Sequence, residues 1–195
     1  ILSLDVNTLE YTPQSKSRFD CIGAARKTDE LAEKVRIMHT GDDTGSKFVW
    51  SLFANTAIYA ANRIPEIADD IVNIDNAVKW GFAWSIGLFE TWDVLGVKYV
   101  CDRMEAEGLR VPAIAKALLE AGGDSFYKYE KGQKLYFDLA SKRYREIVQN
   151  PNAVFLVDLK AGKKAVQENP GCSLVDLGDG ILCAEFHTKM NTIDA

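Results

Sequence analysis

The sequence has no excess of positive charge and no cysteines at metal-binding or redox spacing. Twenty-three Lys and Arg residues stand against 28 Asp and Glu, and the net charge is −5. This balance argues against a nucleic-acid surface, because binding phosphates needs a local excess of cations. The four cysteines lack C-x-x-C spacing, so neither a zinc site nor a secreted disulfide framework is indicated. We therefore expect no metal, no nucleic acid and a reducing, cytoplasmic setting.

Long apolar runs are also missing. The most apolar one, FVWSLFANTAIYAANRI from Phe48, contains Ser, Thr and two Asn and falls short of the roughly 20 apolar residues that a membrane span requires. The chain opens on ILSLD, without an initiator Met and already in a strand-like alternation, so we expect a piece of a larger protein. At 195 residues and 47% hydrophobic, it is long enough to bury one core.

Helical periodicity dominates the chain as far as Gly123. Caps, breakers and apolar spacing predict helices at 28–38, 46–71 with a kink at Pro65, 74–81, 87–95, 97–107 and 112–121.

After Gly123 aromatic and charged residues alternate. SFYKYEKGQKLYFD predicts a hairpin turning at Lys131 and Gly132, and LASKRYREIV predicts one or two turns of helix. Residues 149–171 are interpreted as a linker with an extended apolar stretch. SLVDLGDGILCAEFH predicts a second hairpin about residues 178–180, which we expect to pair with VFLVDL or with a second chain.

One internal repeat is present. LDVNTLEY at 4–11 and FDLASKRY at 137–144 share an apolar residue followed by Asp, four intervening residues, a charged residue and Tyr. The match suggests that residues 1–11 end an earlier copy of the module that closes near residue 144.

Residues 77–96, AVKWGFAWSIGLFETWDVLG, concentrate three tryptophans and three glycines. Such aromatics could line a ligand groove. A packing role is the favoured interpretation, because each aromatic side chain buries about 150–250 Å² and glycine allows two helices to approach closely. The residues are Trp80, Trp84, Trp92, Gly81, Gly87 and Gly96.

Polar candidates are few. The acidic run of Glu66, Asp69, Asp70 and Asp75 matches no metal-ligand order and is interpreted as a solvated face. Glu90 and Asp93 share one helix face and could act as paired carboxylates, although a structural role is favoured. His39 is a further metal or acid/base candidate with Asp42 and Asp43, although a structural role at a helix end is favoured.

A family resemblance rests on three segments. IDNAVKWGFAWSIGLFETWDVLG at 74–96 resembles the helical C-terminal domain of 3-hydroxyacyl-CoA dehydrogenases, and SFYKYEKGQ resembles its closing segment. CSLVDLGDGILCAEFHTKMNTIDA resembles the first strands of an enoyl-CoA hydratase (crotonase) domain. The sequence departs from the dehydrogenase pattern at Leu88, where the family usually has proline, and at Ala83, where it often has glycine.

The resemblance implies a mainly α fold, a helical domain like the C-terminal domain of 6-phosphogluconate dehydrogenase with short β-hairpins. It divides the chain into the tail of a preceding module with a linker (1–23), the helical domain (24–148), a linker (149–171) and severed crotonase-type strands (172–195).

It also implies an architectural module of a bifunctional protein of fatty-acid β-oxidation. The parent would use NAD and acyl-CoA. This chain has no G-x-G-x-x-G, so we expect no cofactor-binding residues in it. The resemblance places the catalytic residues in the parent's other domains, so we expect none in this chain either. Residues that could contact substrate are Trp84, Phe89, Glu90 and Trp92. The implied partners are the parent's other domains, with a homo-oligomer left open.

Two alternatives remain. The chain could be a stand-alone helical interaction or ligand-binding domain, or a self-sufficient enzyme that uses Glu90, Asp93 or His39.

Overall fold

The computed structural model describes residues 1–14, 18–130, 133–148, 153–162 and 164–188. The helices are α1 (Asp20–Ala25), α2 (Leu31–Thr40), α3 (Thr44–Ala61), α4 (Ile71–Phe82), α5 (Leu88–Leu95), α6 (Val97–Ala106), α7 (Ala113–Glu120) and α8 (Leu156–Ala161). The strands are β1 (Leu2–Leu4), β2 (Tyr11–Pro13), β3 (Tyr127–Glu130), β4 (Gln133–Asp138), β5 (Arg143–Glu146), β6 (Ala165–Glu168), β7 (Cys172–Gly178) and β8 (Ile181–Phe186). None of the helices in these ranges is long and apolar enough to cross a bilayer.

The expected mainly α class, a 6-phosphogluconate-dehydrogenase-like helical domain, is wrong. Of the described residues 44% are helical and 21% lie in strands, and the strands form three antiparallel sheets. LASKRYREIV supplies strand β5 instead of helical turns, and the predicted linker 149–171 contains α8 and β6. Strands of four residues are too short to show a periodic pattern in the sequence. They are held in place by the strands with which they pair, and the local sequence does not reveal those partners.

The chain divides into two compact units, Ile1–Thr56 and Ala57–Ala195. In the first unit α1 packs against α2, and the carboxylate of Asp43 ties the start of α1 to the start of α3. It accepts the backbone N–H groups of Cys21 and Ser46, each at 2.7 Å. The N–H groups of Ser46 and Cys21 lower the pKa of Asp43 to about 2.

The single kinked helix expected over 46–71 is two helices in the structure. Helix α3 ends at Ala61, and α4 begins only at Ile71. Pro65 cannot donate a backbone hydrogen bond, which favours a break over a continuous helix. Asp70 then caps α4, because its carboxylate accepts the N–H of Asn73 at 2.9 Å.

The other helix predictions are confirmed to within three residues at either end. They correspond to α2, α4, α5, α6 and α7.

The core of the second unit is built around three aromatic side chains. Phe89 and Trp92 of α5 stack with their ring centroids 6.2 Å apart, and Phe126 meets both rings edge-on at 5.0 and 5.3 Å. All three are at most 1% exposed. Helix α5 packs against α4 on one side and α6 on the other, and α7 packs against α6.

Two three-stranded sheets follow the helices, ordered β3-β4-β5 and β6-β7-β8. The predicted hairpin β3–β4 is present, although its tip at Lys131 and Gly132 lies outside the described residues. The second hairpin is confirmed by the β7–β8 register. Its third strand is β6, whereas most of VFLVDL lies in α8 against β7, so the expected pairing with that segment is wrong.

The internal repeat is confirmed as two copies of one hairpin. Leu4 pairs with Tyr11 across β1–β2, and Phe137 pairs with Tyr144 across β4–β5. In each turn the Asp side chain accepts the backbone N–H of the third residue after it. Asp5 accepts from Thr8, and Asp138 accepts from Ser141. The fourth residue after each Asp, Leu9 and Lys142, has a left-handed φ of 57° and 52°. The two sequences therefore specify the same turn.

Candidate functional site

A buried carboxylate from α4 holds the first turn of α5. Asp75 accepts the backbone N–H groups of Phe89 at 2.9 Å and Glu90 at 3.1 Å. The first N–H groups of a helix have no partner within the helix, so an acceptor supplied by a neighbouring helix both satisfies them and fixes the position of α5. Asp75 is only 1% exposed.

Gly87 allows this approach. A Cβ atom at Gly87 would lie 2.3 Å from Cγ of Asp75, so no other residue fits without displacing the carboxylate. Ala83 caps α4 with a left-handed φ of 54°. It stands where the family that the chain resembles often has glycine. The turn between α4 and α5 therefore keeps the conformation that glycine favours, in spite of the alanine.

A second carboxylate ties α5 to the start of the sheet. Asp93 accepts the N–H groups of Phe126 at 2.6 Å and Tyr127 at 2.9 Å. The hydroxyl of Tyr127 donates to Asp75 at 2.9 Å, which closes a loop of hydrogen bonds through α4, α5 and β3.

Glu90 of α5 is the charged end of the network. Its carboxylate accepts the N–H of Gly87 at 2.9 Å, as in a capping box, and pairs with Lys79 at 3.0 Å and Lys134 at 2.8 Å. The ammonium of Lys134 also lies 4.4 Å from the ring centroid of Tyr127. The network thereby reaches strand β4 as well.

The network shifts the pKa values of its members in different directions. Burial raises the pKa of Asp75 to about 6 and that of Asp93 to about 7, and the neighbouring carboxylates add to both rises. Burial also raises the pKa of Glu90, but the bonds from Lys134, Gly87 and Lys79 outweigh it and bring the pKa below its usual value. Burial and the Asp75 carboxylate raise the pKa of Tyr127.

The predicted substrate contacts fall into two groups. Phe89 and Trp92 are core residues, and Glu90, with 18% of its side chain exposed, belongs to the network. Trp84 is 46% exposed, and its neighbour Trp80 is 79% exposed. The tryptophans of the segment therefore divide into one packing residue and two that face outward.

Asp75 was the main residue that sequence reasoning misjudged. The acidic run was expected to be a solvated face, which is wrong for Asp75 because it caps α5 from a buried position. Its spacing of four from Ile71, which is also buried, and four from Lys79 was the available signal. Tyr127 and Lys134 come from distant sequence, and nothing local to α5 indicates them.

Other polar candidates have structural partners. Nδ1 of His39 donates to the carbonyl of Val35 at 2.7 Å, and its ring meets Phe53 edge-on at 5.3 Å. Within the described ranges, no group of three or more His, Cys, Asp or Glu side chains is placed to hold a metal ion.

Comparison with known proteins gives one informative match. A protein of Bacillus subtilis (strain 168) described as a probable 3-hydroxyacyl-CoA dehydrogenase is 36% identical to this chain over 193 residues. The alignment covers 99% of this chain and 24% of the relative, so the chain spans about a quarter of the relative's length. No family model matches the chain, and no solved structure matches it significantly.

Proposed function

We propose that the chain is an architectural module of a larger 3-hydroxyacyl-CoA dehydrogenase, as its family resemblance implies. The relative's description supports the dehydrogenase relation. The finer proposal places the module in a bifunctional dehydrogenase and enoyl-CoA hydratase of fatty-acid β-oxidation, with residues 172–195 beginning the hydratase part. The domain boundaries predicted from the sequence are part of that proposal.

One observation carries the architectural role. The carboxylates of Asp75, Glu90 and Asp93 accept hydrogen bonds from backbone N–H groups, a tyrosine hydroxyl and two lysines of the same unit. Groups used in this way hold α4, α5 and the sheet in fixed positions. They suit a support better than a general base, which must reach the proton of a substrate.

The described residues do not fit NAD. Dehydrogenases bind its pyrophosphate at a glycine-rich turn from a strand into a helix, within a parallel βαβ unit. Every strand pair in the described part of this chain is antiparallel. We therefore assign NAD to another part of the parent protein and derive no step through it here.

The module would contact the parent through its exposed aromatics. Trp80, Phe82 and Trp84 are 79%, 74% and 46% exposed at the end of α4 and just after it. Clustered aromatics of this kind suit a surface that another domain covers. Of the four predicted substrate contacts, we propose a direct contact with acyl-CoA for Trp84 alone, since Phe89 and Trp92 are enclosed and Glu90 is paired with two lysines. The four free cysteines are consistent with a cytoplasmic location.

The test compares the 195-residue chain with the longer protein that contains it. With NAD and 3-hydroxybutyryl-CoA, the longer protein should form NADH, and the chain alone should form none. Calorimetry should show no saturable NAD binding to the chain. Micromolar binding of NAD by the chain alone would contradict the proposal.

A Trp84→Ala variant of the longer protein, with Trp80→Ala as the matched control, tests the substrate contact. A raised KM for the acyl-CoA in Trp84→Ala alone is expected. Equal effects in both variants would instead assign the two tryptophans to domain docking.

A further inference from the structure

Strand β1 has an open edge. In the described part of the chain it pairs with β2, and no third strand joins that sheet. The carbonyl of Ile1 accepts the N–H of Gln14 at 3.2 Å, which makes these two residues a hydrogen-bonded pair of the ladder. Such pairs alternate with non-bonded pairs in an antiparallel ladder, so the backbone N–H and C=O groups of Leu2 and Leu4 point away from β2. These groups form the open edge.

The second copy of the hairpin has a strand at this edge. Leu135 and Phe137 of β4 occupy the positions that Leu2 and Leu4 have in β1. The backbone N–H of Phe137 donates to the carbonyl of Phe126 at 2.8 Å, and β3 continues from there in antiparallel register with β4. Strand β3 therefore satisfies in β4 the backbone groups that are open in β1.

The side chains of the two copies differ in burial in the same sense. Leu135 and Phe137 are 8% and 1% exposed. Leu2 and Leu4 are 61% and 47% exposed, and Tyr11, which pairs with Leu4, is 71% exposed. The two hairpins share their register and their turn, so the difference lies in what covers each hairpin and not in the hairpin itself. The first copy presents an apolar face that is buried in the second.

We propose that the open edge of β1 is the acceptor site for a strand of the β3 type, supplied by an earlier copy of this module in the parent protein. An exposed apolar edge strand is a template for pairing with a further strand. Main-chain hydrogen bonds to Leu2 and Leu4 give the affinity, as in other cases of strand addition. An aromatic side chain opposite Leu4, in the position that Phe126 has opposite Phe137, covers the apolar face. This inference rests on the proposed modular arrangement but not on NAD-dependent activity.

The first experiment grafts such a strand onto the 195-residue chain. The nine residues SFYKYEKGQ, which lead through β3 into β4, are added directly before Ile1. Ile1 is the counterpart of Lys134, so the added strand has the same length of connection to β1 that β3 has to β4. Amide hydrogen exchange at Leu2 and Leu4, followed by NMR, should be at least about tenfold slower than with a control extension, because pairing protects their N–H groups from water.

The control extension has the same length, with proline in place of its phenylalanine and its first lysine. These are the copies of Phe126 and Lys128, whose backbone groups face β4. Proline has no N–H to donate, so this extension should leave the edge of β1 open. Equal exchange at Leu2 and Leu4 in the two extended chains would overturn the proposal. Exchange in the unextended chain that slows with protein concentration would also overturn it, because a second copy of the chain would then occupy the edge.

The longer protein that contains the chain provides a second measurement. Its residues 1–5 should exchange at least about tenfold more slowly than the same residues of the 195-residue chain, as followed by mass spectrometry. Equal exchange in both proteins would overturn the proposal whether or not the longer protein forms NADH, so this failure is distinct from failure of the dehydrogenase assignment. Slow exchange in the longer protein without protection by the graft would show that another kind of segment covers the edge, which also contradicts a strand of the β3 type.

Discussion

At the scale of single residues, Asp75 and Asp93 combine two opposing roles. Each accepts two backbone N–H groups, which favours the ionised form, yet each is removed from water, which disfavours it. Their pKa values of about 6 and about 7 show that burial dominates. Protonation near neutral pH therefore relieves an unfavourable charge in the folded protein.

This predicts that stability falls as pH rises from 5 to 8. Both folded-state pKa values lie above the unfolded value of about 3.9, so the folded protein binds more protons than the unfolded chain in this range. The free energy of unfolding therefore decreases as the pH rises through 6 and 7. The free energy of unfolding in urea should drop by about 1–4 kcal/mol. Glu90, whose pKa is lowered, affects the pH dependence of stability only below about pH 4.5.

Asp93→Asn is the comparison for this titration. The variant should be less stable at every pH, because an amide NH₂ replaces one acceptor, but its dependence on pH should be shallower than that of the natural chain. An unfolding free energy that rises between pH 5 and pH 8 would contradict the assignment.

At the scale of elements, the close contact of α4 with the start of α5 predicts a sharp difference between two glycines. Gly87→Ala should destabilise the protein by about 1–3 kcal/mol, the usual cost of overpacking, because its Cβ would overlap the Asp75 carboxylate. Gly81→Ala, inside α4, meets nothing within 4 Å and should stabilise by about 0.5–1 kcal/mol. Urea unfolding of both variants measures the difference, and equal effects would show that Asp75 moves aside freely.

The elements that the sequence predicted well are those whose signal is local. Helices α4 to α7 have apolar periodicity and end at glycine, proline or a capping residue, and they were placed to within three residues. Strand β5 and strand β6 were missed, because four-residue strands depend on a partner strand.

The site shows the same division. Glu90 was identified because it and Asp93 lie three residues apart on one face of a predicted helix, which is a local pattern. Asp75 was assigned to a solvated face because its acidic neighbours Asp69 and Asp70 are close in sequence. The tertiary partners of Asp75, the N–H groups of α5 and the hydroxyl of Tyr127, lie 14 to 52 residues away.

At the scale of the whole molecule, the chain combines a repeated hairpin with a helical core and a separate C-terminal sheet. The β1–β2 and β4–β5 hairpins are copies of one design. This supports the interpretation that residues 1–11 belong to an earlier module of the same kind, which remains a prediction about the parent protein.

The C-terminal sheet should be separable from the helical core. Strands β6, β7 and β8 and helix α8 form their own contacts, with Val175 fully buried and Lys160 paired with Glu185 at 2.7 Å. A hydrogen bond from the core side, from the Tyr129 hydroxyl to Asp158 at 3.0 Å, reaches α8. Because this bond is exposed to solvent, it should contribute about 1 kcal/mol or less.

A truncation that ends the chain at residue 148 removes this sheet and helix α8 together. The helical circular-dichroism signal and the melting midpoint of the remaining chain should stay close to those of the full 195 residues, because the aromatic core and the carboxylate network are retained. Tyr129→Phe in the full chain is the control, since it removes only the connecting hydrogen bond and should shift the midpoint by no more than the truncation does. Loss of the helical signal on truncation would show that the C-terminal sheet is part of the same cooperative core, and the proposed boundary between the helical module and a following domain would then be wrong.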